Sequence, residues 1–231
     1  MRKPKEPSVI GFMTLAIIGS SIVSGFNIFE FAVAIGLLVL HLLTFDEAFG
    51  AIRAGSFPLK LIAINALPYL VLGLWTKAWF LVFPALFLLS YLLLAFKRGN
   101  DEITYVLGSS IPILPALVVP LALNKFNDVT VIYWALLTLY AVATAAYVET
   151  KLPWRNLNNK VPLLLWSPSY VFIVFEPLLA LALVEPTIKF ARTAISNSKV
   201  HPKELKKLGW REMGRSLLFA FLVVFLLSKY T

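Results

Sequence analysis

Apolar residues gather into eight stretches, 9–26, 28–45, 59–75, 78–96, 103–123, 129–148, 161–185 and 216–229, with short polar connections between them. Crossing about 30 Å of hydrocarbon takes about 20 apolar residues as helix. Helix is required there because no water can pair a free backbone group. The pattern therefore predicts a chain threaded repeatedly through a bilayer. The second and third stretches are a little short, which implies helix extending past the hydrocarbon or a locally thin bilayer.

Positive charge alternates between the connections. With the N-terminal tail on the inner side, that side collects Arg2, Lys3, Lys5, Arg53, Lys60, Lys97, Arg98, Lys151, Arg155 and Lys160, against Lys77 and Lys125 on the other. Moving Lys and Arg across a membrane is costly, so this bias places the N-terminus in the cytoplasm of a cell-membrane protein. Trp75 and Trp79 fit an outer aromatic belt, and Trp154, Trp166 and Trp210 an inner one.

Composition agrees. Of 231 residues 59% are hydrophobic and only 14% charged, with a mean hydropathy of +0.82, which suits a bilayer rather than water. The net charge of +9 lies in short loops rather than a folded basic face, which argues against nucleic acid as a partner and leaves membrane lipids. There is no cysteine, so thiolate metal sites, disulfides and cysteine nucleophiles are excluded. Met1, Arg2 and Lys3 before an apolar stretch have the outline of a signal peptide; seven further stretches make this an uncleaved first span.

One region breaks the alternation. Seven ordinary crossings would put 189–215 outside, yet it holds Lys189, Arg192, Lys199, Lys203, Lys206, Lys207, Arg211 and Arg215. The preceding stretch contains Pro162, Pro168, Pro177 and Pro186, each removing a backbone donor and able to break a helix. A broken element that returns the chain to the cytoplasmic side would restore the rule and give nine crossings instead of eight. The whole of 1–231 then forms one transmembrane domain, with 189–215 a basic cytoplasmic connector. Its amphipathic helix after Pro202 turns Leu205 and Leu208 to the membrane and Lys203, Lys206, Lys207 and Arg211 to water or anionic headgroups.

Charge at membrane depth is expensive, and Glu176, near the centre of the seventh stretch and beside Pro177, is the clearest case. It could accept a proton, meet a cation, or cap a broken helix. Glu185 and Lys189 have the spacing of a helical ion pair. His41, four residues before the end of the second stretch, reads as a satisfied imidazole, since His201 is the only other histidine and one ring is not a haem site. Three inner loops place acids and bases together at the cytoplasmic mouth: Asp46, Glu47 and Arg53; Lys97 and Arg98 before Asp101 and Glu102; and Glu149, Lys151, Arg155 and Lys160.

In layout these loops resemble the UbiA superfamily of intramembrane prenyltransferases, with an acidic loop after span two, Ser90-Tyr91 running into Lys97-Arg98 after span four, and an acid-and-base loop after span six. The resemblance implies an all-α bundle with a nine-crossing topology and an isoprenoid ligand. In that superfamily paired aspartate-rich motifs hold magnesium on the donor's pyrophosphate. Here Asp46 and Glu47 are adjacent rather than a helical turn apart, Gly50 stands where another acid would be expected, and Glu149 lacks an acidic partner, a poor set for magnesium. The ending 208–219, LGWREMGRSLLF, and the Arg98-Gly99-Asn100 loop also resemble the YwiC-like membrane proteins, although that family's Glu-His-Gly is not matched after Glu6.

The sequence thus predicts an all-helical bundle of eight or nine spans, UbiA-like in arrangement. It would bind a lipid, an isoprenoid or another small molecule at a mouth formed by Asp46, Glu47, Arg53, Lys97, Arg98, Glu149 and Arg155, without a metal or other cofactor. Three alternatives remain open: a small-solute or proton-coupled transporter built around Glu176, where discontinuous spans commonly place sites; a divergent, magnesium-using prenyltransferase; and a structural subunit of a membrane complex.

Overall fold

The computed structural model describes residues 7–53, 56–99, 101–196 and 198–230, without the side chains of Pro7, Ser8, Asp46 and Arg53. The α-helices are α1 (Pro7–Val23), α2 (Ile28–Arg53), α3 (Leu59–Thr76), α4 (Val82–Arg98), α5 (Glu102–Gly108), α6 (Pro115–Ala122), α7 (Asp128–Lys151), α8 (Val161–Trp166), α9 (Leu179–Ile195) and α10 (Leu205–Leu227). Short 3-10 turns join α5 to α6 and extend α8 to Ile173. There is no strand among the described residues.

Side-chain caps account for the starts of α2, α5 and α7. Asn27 and Glu30 cap α2 reciprocally, each backbone N–H donating to the other's side chain at 2.8 and 2.9 Å. Asp101 and Asn127 accept from the N–H groups of Thr104 and Thr130 at 2.7 and 2.8 Å, opening α5 and α7. Gly25 at φ 63° follows α1, in a conformation that costs an L side chain energy.

Six helical stretches are long and apolar enough to cross a membrane: Ile28–Ile52, Leu59–Thr76, Trp79–Arg98, Glu102–Ala122, Asp128–Lys151 and Pro202–Tyr230. Val9–Val23 and Val161–Ile173 are shorter apolar helices. Large apolar side chains such as Leu74, Phe83, Val174, Leu181 and Phe225 are exposed right around the bundle, far more than a water-facing surface carries. This is the exterior of a membrane protein.

The chain runs between two ends. At one, Ser24 bonds Thr130 at 2.9 Å, Thr76 donates to the Ala122 carbonyl at 2.8 Å, and Lys125 pairs with Glu30 at 3.5 Å. At the other, hereafter the basic end, the backbone N–H of Asn156 donates to Glu102 at 3.0 Å and Val200 N–H donates to the Lys151 carbonyl at 2.9 Å. Lys199 caps the Thr150 and Arg155 carbonyls at 3.0 and 2.9 Å. The basic segment 198–204 therefore lies beside the end of α7.

The return comes from a hairpin. From Val161 the chain runs through α8 and 3-10 turns, reverses around Glu176 and Pro177, and comes back as α9, which packs on α8. A 3-10 turn rises about 2.0 Å per residue and an α-helix about 1.5 Å, so the thirteen residues 161–173 reach about 23 Å and the seventeen of α9 about 26 Å. Both legs fall slightly short of a full bilayer.

Three expectations change here. The second leg continues past Glu185 to Ile195, so Lys189 and Arg192 belong to a helix rather than to a connector. The helix after Pro202 is not a separate interfacial element: α10 is continuous from Leu205 to Leu227, and Leu208 enters the main core instead of facing the membrane. Trp166 is fully buried and donates to Thr187 at 3.0 Å, so it is a core residue and not part of an aromatic belt. Trp154 and Trp210 remain exposed, as do Trp75 and Trp79.

The main core joins α1, α7, α8, α9 and α10 around Tyr140, Trp166, Phe190 and Phe219. Tyr140 stacks on Phe219 at 4.3 Å, and Trp166 meets both edge-on. Smaller clusters tie α2 to α1 and to α4.

Candidate ligand-binding site

Inside the main core lies a chain of charge. The Lys189 ammonium donates to Glu212 at 2.9 Å and to Thr144 and Tyr140 at 3.1 and 3.4 Å, and it lies over the rings of Tyr140 and Phe190. Glu212 also accepts from Arg215 at 2.6 Å, and Arg215 reaches Glu185 at 3.0 Å. Lys189 is six residues from the end of α9 and Glu212 seven from the start of α10, about 10 Å in from the basic end. Charges at this depth persist only when paired and hydrogen-bonded. Glu185 thus pairs with Arg215 across helices, not with Lys189 along its own.

Glu212 borders a cavity of about 890 Å³. Its walls come from α1 (Val9, Phe12), the end of α2 (Phe45, Phe49, Gly50), α5 and the turn after it (Tyr105, Gly108, Ser109, Pro112), α7 (Ala141 to Leu152) and α10 (Leu205 to Ser216). Most of this lining is apolar. Gly50, Tyr105, Leu152, Lys206 and Trp210 all belong to the basic end, and polar groups continue inward from there, with Thr144 and Glu212 about 10 Å in and Ser216 further still. Gly209 and Gly50 leave open space where a Cβ would stand.

A second, almost wholly apolar cavity of about 270 Å³ lies between α2, α3, α4 and the α5–α6 turn. His41, Thr44, Asn65 and Tyr69 line it but bond to one another. The Asn65 amide donates to the Leu61 carbonyl at 2.8 Å, which orients its oxygen toward His41 Nδ1 at 2.7 Å. His41 Nδ1 then carries the proton, and Nε2 accepts from the Tyr69 hydroxyl at 2.6 Å. The imidazole is satisfied at both nitrogens.

The residues singled out in the sequence take other places. Asp46 and Arg53 have side chains outside the described residues. Glu47, Lys97 and Arg98 are exposed, and Arg98 pairs with Asp101. Burial would raise the Asp101 carboxyl, but the Thr104 N–H and hydroxyl and the Arg98 guanidinium outweigh it and hold it below the usual carboxylate range. Glu149 is buried and pairs with Arg155 at 2.9 Å. Glu176 is not at the middle of a span. It stands at the tip of the hairpin, where Tyr230, Lys229 at 3.1 Å and the Leu178 N–H at 3.0 Å all donate to it. The inner loops do meet at one end, yet Glu47, Lys97, Arg98, Glu149, Arg155 and Glu176 line neither cavity.

The donors among the described residues do not suit magnesium. Among the described residues no group of three or more His, Asp or Glu could hold a metal ion, and Asp101 and Glu149 are both engaged by arginine. No family model, curated protein or solved structure matches this chain.

The site that geometry brings forward, the wall of α10 with Glu212, Gly209 and Ser216, has one signal in the sequence. Glu212 is the only acid between Leu205 and Leu227. It shares a helix face with Leu205, Leu208 and Ser216, so an acid falls among the apolar positions of that face while Lys206, Lys207 and Arg211 lie off it.

Proposed function

We propose that this protein binds a single-chain amphiphile, a lipid or isoprenoid-type molecule, in the larger cavity, with the polar group at the basic end beside Lys206, Tyr105 and Trp210. The observation that carries this is the cavity itself: about 890 Å³, within the range of roughly 300–1,000 Å³ typical of small-molecule sites, and mostly apolar with a few convergent polar groups. In this reading the chain crosses the membrane nine times, in a UbiA-like arrangement with the basic end and N-terminus in the cytoplasm. The hairpin at Glu176 and the position of 198–204 support that topology. The loop charges of 97–102 and 149–160 surround the mouth and attract an anionic headgroup at longer range.

Gly209→Trp tests the binding. It fills the space that the bare backbone leaves and is expected to abolish retention of co-purifying amphiphile, read by native mass spectrometry after detergent exchange, while Gly209→Ala retains it. Equal retention by both variants would sink the proposal. The absence of native cysteine makes Ser198→Cys a clean reporter of sidedness: modification by a membrane-impermeant thiol reagent only after the cytoplasmic face is opened is expected.

Transport is the second reading, and the observation favouring it is Glu212, a buried carboxylate bordering a cavity and held by two cations. Under this reading Glu212, rather than Glu176 with its three donors, is the group whose pairing changes with substrate. Uptake lost in a folded Lys189→Met/Glu212→Leu variant would favour transport over simple binding.

A further inference from the structure

The smaller cavity, of about 270 Å³, carries a polar cluster at a depth where polarity is costly. His41 is thirteen residues from the Ile28 end of α2 and twelve from the Arg53 end, about 18–20 Å from either. An ionisable side chain in the middle of a membrane points to function by default. The cluster joins α2 to α3, and polar side chains do serve as glue between membrane helices. A purely structural link would be sealed between the two helices. Here Thr44 is buried, but His41, Asn65 and Tyr69 are only half-buried and line the cavity. Their bonds also leave capacity. One amide hydrogen of Asn65 goes to the Leu61 carbonyl, and the Tyr69 hydroxyl hydrogen goes to His41. The second amide hydrogen of Asn65 and the lone pairs of the Tyr69 oxygen have no other partner among the described residues. One donor and one acceptor, flanking the same imidazole, match a hydroxyl group, which is both.

The cavity opens sideways. Helices α3 and α4 each pack on α2 and barely on each other. At one end they are pinned, because the Leu81 side chain occupies the space of a Cβ on Gly73. Beyond that contact Ala66 and Leu70 of α3 and Ala85 of α4 line the cavity and are exposed. Leu67, Phe83 and Leu86 beside them belong to the apolar exterior, so the mouth faces lipid rather than water. Among the described residues the lining has no Asp, Glu, Lys or Arg, and a charged group entering it would lose its hydration without gaining a counter-ion. Size and shape narrow the occupant further. An apolar cavity of about 150 Å³ takes benzene, so one of about 270 Å³ has room for two fused rings. Flat faces line it: His41 and Tyr69 lie nearly parallel at 5.6 Å and 11°, and Phe45 and Phe49 at 5.1 Å and 13°, surfaces against which a flat ring packs.

We propose that the smaller cavity is a second binding site, separate from that of the amphiphile in the larger one, for a neutral ring alcohol or phenol of about two fused rings that enters from the lipid between α3 and α4. Its hydroxyl donates to the Tyr69 oxygen and accepts from the Asn65 amide. His41 does not touch the ligand and acts as a positioning residue: by accepting from Tyr69 and donating to Asn65 it holds both groups in place. The open side leaves any further apolar substituent of the ligand in the bilayer.

The test uses the full-length protein in detergent with three probes of one shape: 2-naphthol, naphthalene and 2-naphthalenesulfonate. Binding is read by equilibrium dialysis against protein-free micelles, which corrects for partition into the detergent. Wild type is expected to bind 2-naphthol saturably and about fivefold more tightly than naphthalene, the gain from one neutral hydrogen bond. The sulfonate should show no uptake above the micelles. Tyr69→Phe keeps the ring and should bring 2-naphthol down to the affinity of naphthalene, with naphthalene unchanged. Ala85→Phe, at an exposed position that tolerates the change, should close the mouth and abolish binding of both. The assignment is overturned if wild type shows no saturable binding, holds naphthalene as tightly as 2-naphthol, or takes up the sulfonate. Equal loss of both neutral probes in a folded Tyr69→Phe protein also overturns it, by making the cluster only a link between α2 and α3. Unchanged binding in Ala85→Phe does the same, by putting the probe elsewhere.

Discussion

Helices α3 and α7 both count as apolar spans, yet the bundle uses them in opposite ways. None of the residues of α3 is buried, and Leu67, Leu70, Val71 and Leu74 face outward. Helix α7 buries Tyr133, Leu136, Leu137, Tyr140, Ala141, Ala143, Thr144, Ala145 and Ala146, among others. In water the apolar face of a helix marks the inside. In a bilayer both sides of the helix are apolar, so hydrophobicity loses that meaning, and small or polar side chains mark the interior instead. The run 141–146, AVATAA, is the interior by this criterion, and Thr144 there touches Lys189.

The sharpest way to break the contrast is to unpair the charge in the well-packed half. Glu212→Leu leaves Lys189 and Arg215 without their shared carboxylate. The expected loss is about 3–5 kcal/mol of stability, the usual cost of orphaning one partner of a buried pair. Adding Lys189→Met should recover much of it, as followed by thermal unfolding in detergent. A leucine truncation on each side comes next: Leu183→Ala, in the core, should cost about 2–5 kcal/mol, whereas Leu70→Ala on α3 should stay within about 0.5 kcal/mol. Equal costs would mean that α3 is covered by protein rather than lipid.

A smaller effect is expected at the contact of α1 with α7. A Cβ on Gly19 overlaps the Tyr133 hydroxyl, which donates to the Leu15 carbonyl at 2.6 Å. Gly19→Ala should therefore cost about 1–3 kcal/mol through overpacking, and Gly36→Ala, with open space on α2, should show no such loss. Smallest is the cap of α5, where Asp101→Ala should cost about 1 kcal/mol. Because the folded Asp101 carboxyl lies below its ordinary value, its contribution is present above the unfolded pKa and fades as pH falls through the folded one. The gap between Asp101→Ala and wild type, measured by unfolding at a series of pH values, should close in acid.

Much of the helical architecture was legible in the spacing of apolar residues, and the proline-rich stretch correctly marked where a single helix could not continue. The end of α9 was not legible. Lys189 and Arg192 look like the start of a polar loop, because nothing local shows that Glu212, on the next helix, lies within 2.9 Å. The same limit applies to Glu176. Within one long apolar stretch it stands at the centre, but once the stretch folds into two legs it becomes a tip, and its partners Lys229 and Tyr230 are more than fifty residues on. Trp166 failed for a related reason, since a tryptophan near the end of a span fits a headgroup belt unless a partner such as Thr187 draws it inside. The cavities could not be read at all, because their walls join five helices distant in sequence.

The clasp between Glu176 and the residues Lys229 and Tyr230 also constrains how the molecule is made. The two buried charges of the hairpin, Glu176 at its tip and Lys189 on the returning leg, pair with Lys229 and Glu212 of the C-terminal segment. Because that segment is synthesised last, these two pairings form only after α8 and α9 are complete. The C-terminal segment thus fastens the hairpin at both its tip and its returning leg, and the order in which those pairings can form is written into which residue neutralises which.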